Sequence, residues 1–500
     1  MTAVRTDDGD AVAHSHRVVV IGAGPAGICA GVHLLDAGIR DFVIVDKASR
    51  VGGTWYHNRY PGAECDVMSH LYSFSFELNP EWSQRYARQP EIRDYLERCA
   101  KKYGLEPHLR LGAGVTSATW DDAAAVWTLA LEDGGVLEAN AVISAVGMFN
   151  EPSWPEIAGL DDFGGTVFHS ARWPEGLDLE GRRVAVIGSA ASAIQLVPEI
   201  APVVDRLFVF QRTATWVLPK DDRPYTDEDR ERFRTDPDAM LELRQKLIDS
   251  VNAMMTFSDP EARRKAEAAG LENLAVVEDD EVRRKLTPRM PWGARRPIVS
   301  NHYYPTYNRP NVELVTDAIA RVTPKGIETR DGIERAVDVI VLATGFATTR
   351  YLAAIDVVGR GGRRLQDEWA SDPRAYLGVT TSGYPNVFMC YGPNTNNGSI
   401  MYMIECQVEY AVRMIRWMDE SGTAWMDVRR DVMDAYNEAL QRELDGISVW
   451  QGEHGGYYRG GSGRIVTQWP NTMADYCARL RADGPASYHL ESRGHFENCE

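Results

Sequence analysis

Basic charge is in short supply in this chain: 54 Lys and Arg stand against 72 Asp and Glu, a formal net charge of −18. A nucleic acid or an anionic membrane would be repelled by that surface, so neither is an expected partner, and any local basic cluster calls for a local anion. Cysteine is scarce as well. Cys29, Cys65, Cys99, Cys390, Cys406, Cys477 and Cys499 are odd in number and never stand at C-x-x-C spacing. That pattern suits neither a disulfide framework nor a zinc site, so no metal and a reducing, cytoplasmic compartment are expected. Long apolar runs are missing except at Val18 to Leu35, 18 residues without Asp, Glu, Lys or Arg. Its glycines and Pro25 read as strand, tight turn and buried helix rather than as a membrane span. Residues 1–16 are polar and lack the basic start and apolar core of a signal peptide, so a disordered N-terminus is expected.

What is present is an ordinary globular composition, 44% hydrophobic and 25% charged, over 500 residues, enough for about three domains. Two strand-like runs each open into a small-residue loop. Arg17 to Ile21 leads into Gly22-Ala23-Gly24-Pro25-Ala26-Gly27, and the strand Phe42 to Val45 ends at Asp46, 19 positions after Gly27. Strand before, helix after and an acid at that offset are the dinucleotide fingerprint: phosphate on the helix N-terminus, ribose hydroxyl on the carboxylate. The second unit runs Arg183 to Ile187 into Gly188-Ser189-Ala190-Ala191-Ser192-Ala193, with Ala190 and Ala193 where glycines would complete the pattern. Its next strand, Leu207 to Phe210, ends in Gln211-Arg212-Thr213. A cation in place of the acid suits the 2′-phosphate of NADP. The chain therefore reads as α/β, with two Rossmann-like dinucleotide-binding domains. Charge-rich, helix-favouring sequence from about Lys220 to Arg289 reads as a helical insertion in the second.

Between the two units, Phe163-Gly164-Gly165-Thr166-Val167-Phe168-His169-Ser170-Ala171-Arg172-Trp173-Pro174 fits F-x-G-x-x-x-H-x-x-x-W-P at every specified position. In that place it resembles the fingerprint of the Baeyer–Villiger monooxygenases, the class B flavoprotein monooxygenases with two dinucleotide sites. The resemblance runs from Val18 to about Tyr476 and implies FAD on the first unit and NADPH on the second. It implies domains at 17–149 (FAD, first part), 150–219 (NADPH, first part), 220–299 (insertion), 300–347 (NADPH, second part) and 348–500 (FAD, second part, and C-terminal segment). The block Gly52-Gly53-Thr54-Trp55 through Asp66 resembles the family's flavin loop, with Gly53, Thr54 and Trp55 against the ring and Asp66 at the active site. Arg295-Arg296-Pro297 resembles its basic pair, Arg296 catalytic and Arg295 beside Arg212 on the 2′-phosphate. Ala343-Thr344-Gly345 matches the return to the flavin domain, so Thr344 and Gly345 join the cofactor residues.

Gly392-Pro393-Asn394-Thr395-Asn396-Asn397-Gly398 precedes Ser399, which reads as the N-cap of a helix from Ile400 to Met418. Asn394 is expected at the flavin, and the asparagine-rich loop resembles the branch containing 4-hydroxyacetophenone monooxygenase. His169 and Trp173 read as domain-coupling residues with no bond-making role. The reaction implied is NADPH- and O2-dependent conversion of an apolar ketone to an ester or lactone, through a C4a-peroxyflavin and a tetrahedral peroxide adduct. A permanent cation, Arg296, would stabilise both anions. Two other readings remain: a flavin-containing monooxygenase oxidising nitrogen or sulfur, against which Trp173-Pro174 argues, and a non-catalytic dinucleotide-binding sensor.

Overall fold

A computed structural model describes residues 3–4, 13–255, 257–352, 354–370, 372–452 and 458–493. The first glycine loop leaves a mixed sheet in which Leu109–Leu111, Phe42–Asp46, Ala13–Ile21, Val136–Ser144, Val126–Leu131, Val115–Asp121 and Asp356–Val358 lie side by side. Ala13–Ile21 runs parallel to Phe42–Asp46, in register Val18 to Phe42, and parallel to Val136–Ser144, in register Val18 to Ala141. Val18, Val19 and Val20 are fully buried. An unbroken apolar strand of this kind is one covered on both faces. Helix α1, Pro25–Asp36, starts with Pro in its first turn and lies on this sheet. A Cβ on Gly27 would stand 1.8 Å from the Gly22 carbonyl oxygen, so only glycine lets the helix close onto the strand.

The expectation of a wholly disordered start needs correction. The strand begins at Ala13, and Ala3–Val4 pairs antiparallel with Ala13–His14; residues 5–12 lie outside the described residues.

The second unit is a parallel sheet ordered Val312–Val315, Arg206–Phe210, Arg183–Ile187, Val339–Leu342, Thr166–His169. Helix α2, Ala191–Ile200, follows its glycine loop. The insertion leaves after Val217–Leu218 and returns at Ile298–Val299, and these two short strands pair parallel with each other. Between them stand α3, Asp227–Thr235, α4, Pro237–Met254, α5, Pro260–Leu274, and α6, Asp280–Leu286. Each starts at an oxygen-bearing cap: Thr226 in a capping box with Asp229, then Asp236, Asp259 and Asp279. The chain then returns to the first domain, whose last part includes α7, Ile400–Ser421, and α8, Met473–Ala482.

Two local expectations fail in this last part. Ser399 does occupy the N-cap position of α7, but its hydroxyl donates to the Leu71 carbonyl at 3.1 Å and caps nothing. Cys406 on α7 and Cys477 on α8 form a disulfide, Cα to Cα 5.5 Å, despite the odd, unpatterned cysteine set. Seventy-one residues separate the two, so no sequence spacing announced them. Among the described residues, no helix is long and apolar enough to cross a membrane.

Candidate active site between the two glycine loops

One cavity of about 1140 Å³ is lined by both loops, Gly22, Gly24 and Pro25 from the first and Gly188, Ser189, Ala190 and Ser192 from the second. Gly53 and Gly24 meet back to back: at Gly53, with φ +53°, a Cβ would lie 2.8 Å from the Gly24 Cα. Only bare backbone permits that approach, and it leaves the wall formed by Thr54 and Trp55 open to a flat ligand. Asp46 also faces the cavity. Its two oxygens accept from the Ala23 N–H at 2.6 Å and the Ala48 N–H at 2.7 Å, and each retains a lone pair for a ribose hydroxyl.

At the second loop, the Ser189 hydroxyl donates to the Thr213 carbonyl at 3.1 Å, tying the loop to the strand end that carries Arg212. Arg212 is exposed and Arg295 half-buried, and both line the cavity. Burial, and then the charge of Arg212, hold the Arg295 guanidinium below its ordinary pKa. Its Nε is buried with no partner among the described residues. Two mutually repelling cations with an orphaned donor suit a multiply charged anion such as a phosphate monoester.

Across the cavity, Arg296 grips Asp66. Nε donates to Oδ2 at 3.1 Å, and Nη2 lies 2.8 Å from each oxygen. The partners stand 230 residues apart in sequence, Asp66 on the loop after Thr54–His57 and Arg296 just ahead of Ile298–Val299. A fork bonded to a carboxylate on one edge is fixed in orientation while its charge stays permanent. That is the equipment for stabilising negative charge at a fixed point in the cavity.

A family model, pyridine nucleotide-disulphide oxidoreductase, matches residues 19–227. The chain is similar to a Baeyer–Villiger monooxygenase of Pseudomonas aeruginosa, 41% identical over 98% of this chain and 94% of that one. The chain belongs to the Baeyer–Villiger monooxygenase family. It is also similar to an FAD-binding monooxygenase of Aspergillus niger, 37% identical over 95% of this chain and 82% of that one. Among solved structures it resembles the cyclohexanone monooxygenase from Rhodococcus sp. Phi1 bound to NADP+, with a TM-score of 0.87 and 32% identity, covering 96% of this chain and all of that one.

Most of the residues expected at the site of this Baeyer–Villiger monooxygenase do meet at the cavity, Thr344 and Gly345 included. Thr344 donates to the Ser153 carbonyl at 2.6 Å, bracing the return strand against the outgoing linker. Gly27 and Ala193 instead pack under their loops, Ala193 fully buried. Asn394 is a correction. It does not line the cavity; its amide donates to the carbonyls of Ile465 at 2.9 Å and Gln468 at 3.1 Å, pinning the C-terminal segment. Asn396, two residues on, is the one that faces the cavity, accepting from the Tyr391 hydroxyl at 2.7 Å.

His169 and Trp173 do not line the cavity. His169 is fully buried, its Nδ1 accepts from the Ala171 N–H at 3.1 Å, and burial pushes its pKa down to about 4. Its ring lies 5.8 Å from that of Phe346, which does line the cavity, so the linker touches the wall from behind. Trp173 packs edge-on to Phe168 at 5.0 Å. Gln195 of α2 is a site residue that sequence reasoning missed. Its Oε1 accepts from the Tyr60 hydroxyl at 2.8 Å and its Nε2 donates to the Glu64 carbonyl at 3.0 Å, clamping the Asp66 loop to the second domain. An isolated glutamine on a helix carries no sequence signal for such a task.

Proposed function

We infer that this Baeyer–Villiger monooxygenase binds FAD on the first loop and NADPH on the second, and uses O2 to convert an apolar ketone into an ester or lactone. The observation that carries the reading is the Arg296–Asp66 pair, facing a single cavity that both loops share. Flavin and NADPH together supply oxygen activation and the reducing equivalents; everything else falls to the protein. Ketone, O2, NADPH and a proton become ester, NADP+ and water.

Arg296 presents a fixed positive charge where the ketone oxygen gains negative charge as the carbonyl carbon is attacked. Asp66 sets the plane of that guanidinium and moderates its field. Arg212 and Arg295 hold the 2′-phosphate, and Asp46 the ribose of FAD. Trp55, Tyr72, Phe346 and Ile404, all on the cavity wall, exclude water and favour an apolar substrate. A cytoplasmic setting is part of the proposal; among the described residues the free thiols Cys29, Cys65, Cys99 and Cys390 agree with it, and the Cys406–Cys477 disulfide weighs against it. The test is product analysis of the purified holoenzyme with NADPH and O2 over a panel of ketones and sulfides. Ester from at least one ketone is expected; sulfoxide alone would replace the reading with heteroatom oxidation.

A further inference from the structure

Asp66 and Arg296 arrive at the cavity on chain segments that share no secondary structure, and one buried residue touches both of those segments. Lys220 begins the insertion, two residues after the strand Val217–Leu218, whose parallel pairing sets Val217 against Ile298 and Leu218 against Val299. Asn301 then closes on the Lys220 backbone from both sides: Oδ1 accepts from the Lys220 N–H at 2.8 Å and Nδ2 donates to the Lys220 carbonyl at 2.7 Å. The segment carrying Arg296 is thus registered on the backbone of Lys220. The Lys220 side chain points the other way. Its ammonium lies 2.8 Å from Glu64 Oε1, 3.2 Å from Asp222 Oδ2 and 4.5 Å from the centre of the Tyr86 ring, with only 5% of the side chain exposed. Glu64 stands two residues before Asp66 and lines the cavity.

We propose that Lys220 is a positioning residue for the catalytic pair: its charge holds Glu64 so that Asp66, and not Glu64, is the carboxylate bound by Arg296. The physical argument is competition. Two carboxylates two residues apart both border the cavity that Arg296 enters, and a guanidinium binds either one equally well in principle. An ammonium that occupies Glu64 from the far side removes one competitor. Glu64 cannot simply swing away, since its backbone is held at both ends by Gln195, N–H to Oε1 at 3.4 Å and carbonyl to Nε2 at 3.0 Å. Asp222 shares the ammonium but sits on the insertion side of it. The inference rests on the proposed function for what the pair is used for, but its geometry does not depend on the reaction.

Lys220→Met should leave bound FAD and the KM for NADPH near wild type while lowering kcat for ester formation about tenfold, the effect of about 1.4 kcal/mol lost at the transition state. The decisive variant is Lys220→Met with Glu64→Gln. If Lys220 acts by holding Glu64, removing the competing charge restores kcat to within a few-fold of wild type. A lysine that merely supports the fold gives no such rescue, and an unrescued double variant overturns the proposal. The second readout needs no turnover: the 15N NMR signal of the Arg296 Nε–H, assigned by its loss in Arg296→Lys. It should shift in Lys220→Met and return in the double variant; an unmoved signal in Lys220→Met refutes the inference even in a protein that makes no ester. Should Lys220→Met fail to fold, Lys220→Gln, which keeps a polar side chain but not the charge that faces Glu64, takes its place and is expected to lower kcat in the same direction. An unchanged kcat and an unmoved Arg296 signal there would equally overturn it.

Discussion

Arg212 and Arg295 offer a test in which binding and stability move in opposite directions. Each is proposed to donate to the 2′-phosphate, and a hydrogen bond to a charged group contributes about 1.5–3 kcal/mol. Arg212 is exposed, so its contact is screened by water and belongs at the low end, about a tenfold loss in kcat/KM for NADPH on Arg212→Ala. Arg295 is half-buried with an orphaned Nε, so Arg295→Ala belongs at the high end, about a hundredfold. NADH lacks the phosphate and should be used with unchanged efficiency by both variants. The charge of Arg212 also opposes that of Arg295 when no anion is bound. Arg212→Ala should therefore leave the melting temperature of the cofactor-free protein unchanged or raised, and NADP+ should stabilise the variant less than it stabilises the wild type. Steady-state kinetics with both nicotinamides and thermal melts with and without NADP+ read all of this out. Equal losses with NADPH and NADH, or a lowered melting temperature without cofactor, would refute the pairing of these two arginines on one phosphate.

Arg296→Ala should keep FAD but lose at least about a hundredfold in ester formation, and Arg296→Lys should recover little of it, because an ammonium cannot reproduce the bidentate grip on Asp66; wild-type-like ketone turnover in either variant would remove Arg296 from the chemistry. His169→Ala and Trp173→Ala act behind the cavity wall and should raise the share of NADPH consumption that ends as hydrogen peroxide, with FAD still bound; unchanged peroxide yield would leave the linker a purely structural element. His70 is buried against Phe233 and Tyr225, neither ring nitrogen has a partner among the described residues, and burial followed by the charge of Arg244 brings its pKa down to about 4. The unfolded chain takes up that proton near pH 6.5 and the folded one does not, so this contribution to stability is complete above pH 6.5 and is lost as pH falls toward 4. His70→Phe should therefore raise the melting temperature more at pH 5 than at pH 8; the reverse order would show that the ring is hydrogen-bonded in solution.

The parts of this molecule that could be read from sequence are those in which one short segment contains its own physical explanation. Strand, glycine turn and helix at Val18 to Asp36 are such a case, since the close approach at Gly27 is local. The stretch expected as an insertion from its change of composition, 220–299, holds the helices α3 to α6 and overlaps the returning strand Ile298–Val299. The pairing of Asp66 with Arg296 was legible only through the resemblance that places both in the active site, as nothing in either segment specifies the other. Three features stayed hidden because each depends on a distant partner: the disulfide between α7 and α8, the Ser399 hydroxyl drawn to Leu71, and Asn394 drawn to the carbonyls of 465–468. Local propensity names the correct position for Ser399 and the wrong task, since a carbonyl 328 residues away outcompetes the free N–H groups of its own helix.

The two-residue parallel pairing at the foot of the insertion has an evolutionary side. Because the chain leaves at Val217–Leu218 and comes back beside itself at Ile298–Val299, the helices between, α3 to α6, can lengthen, shorten or be exchanged at small entropic cost, which grows only with the logarithm of loop length. Arg296 lies at the very end of the intervening stretch, two residues before Ile298, so its reach to Asp66 is fixed by the returning strand and not by the helices. A lineage can thus rebuild the four helices α3 to α6 while the residues at the returning strand, and with them the reacting centre, are inherited unaltered.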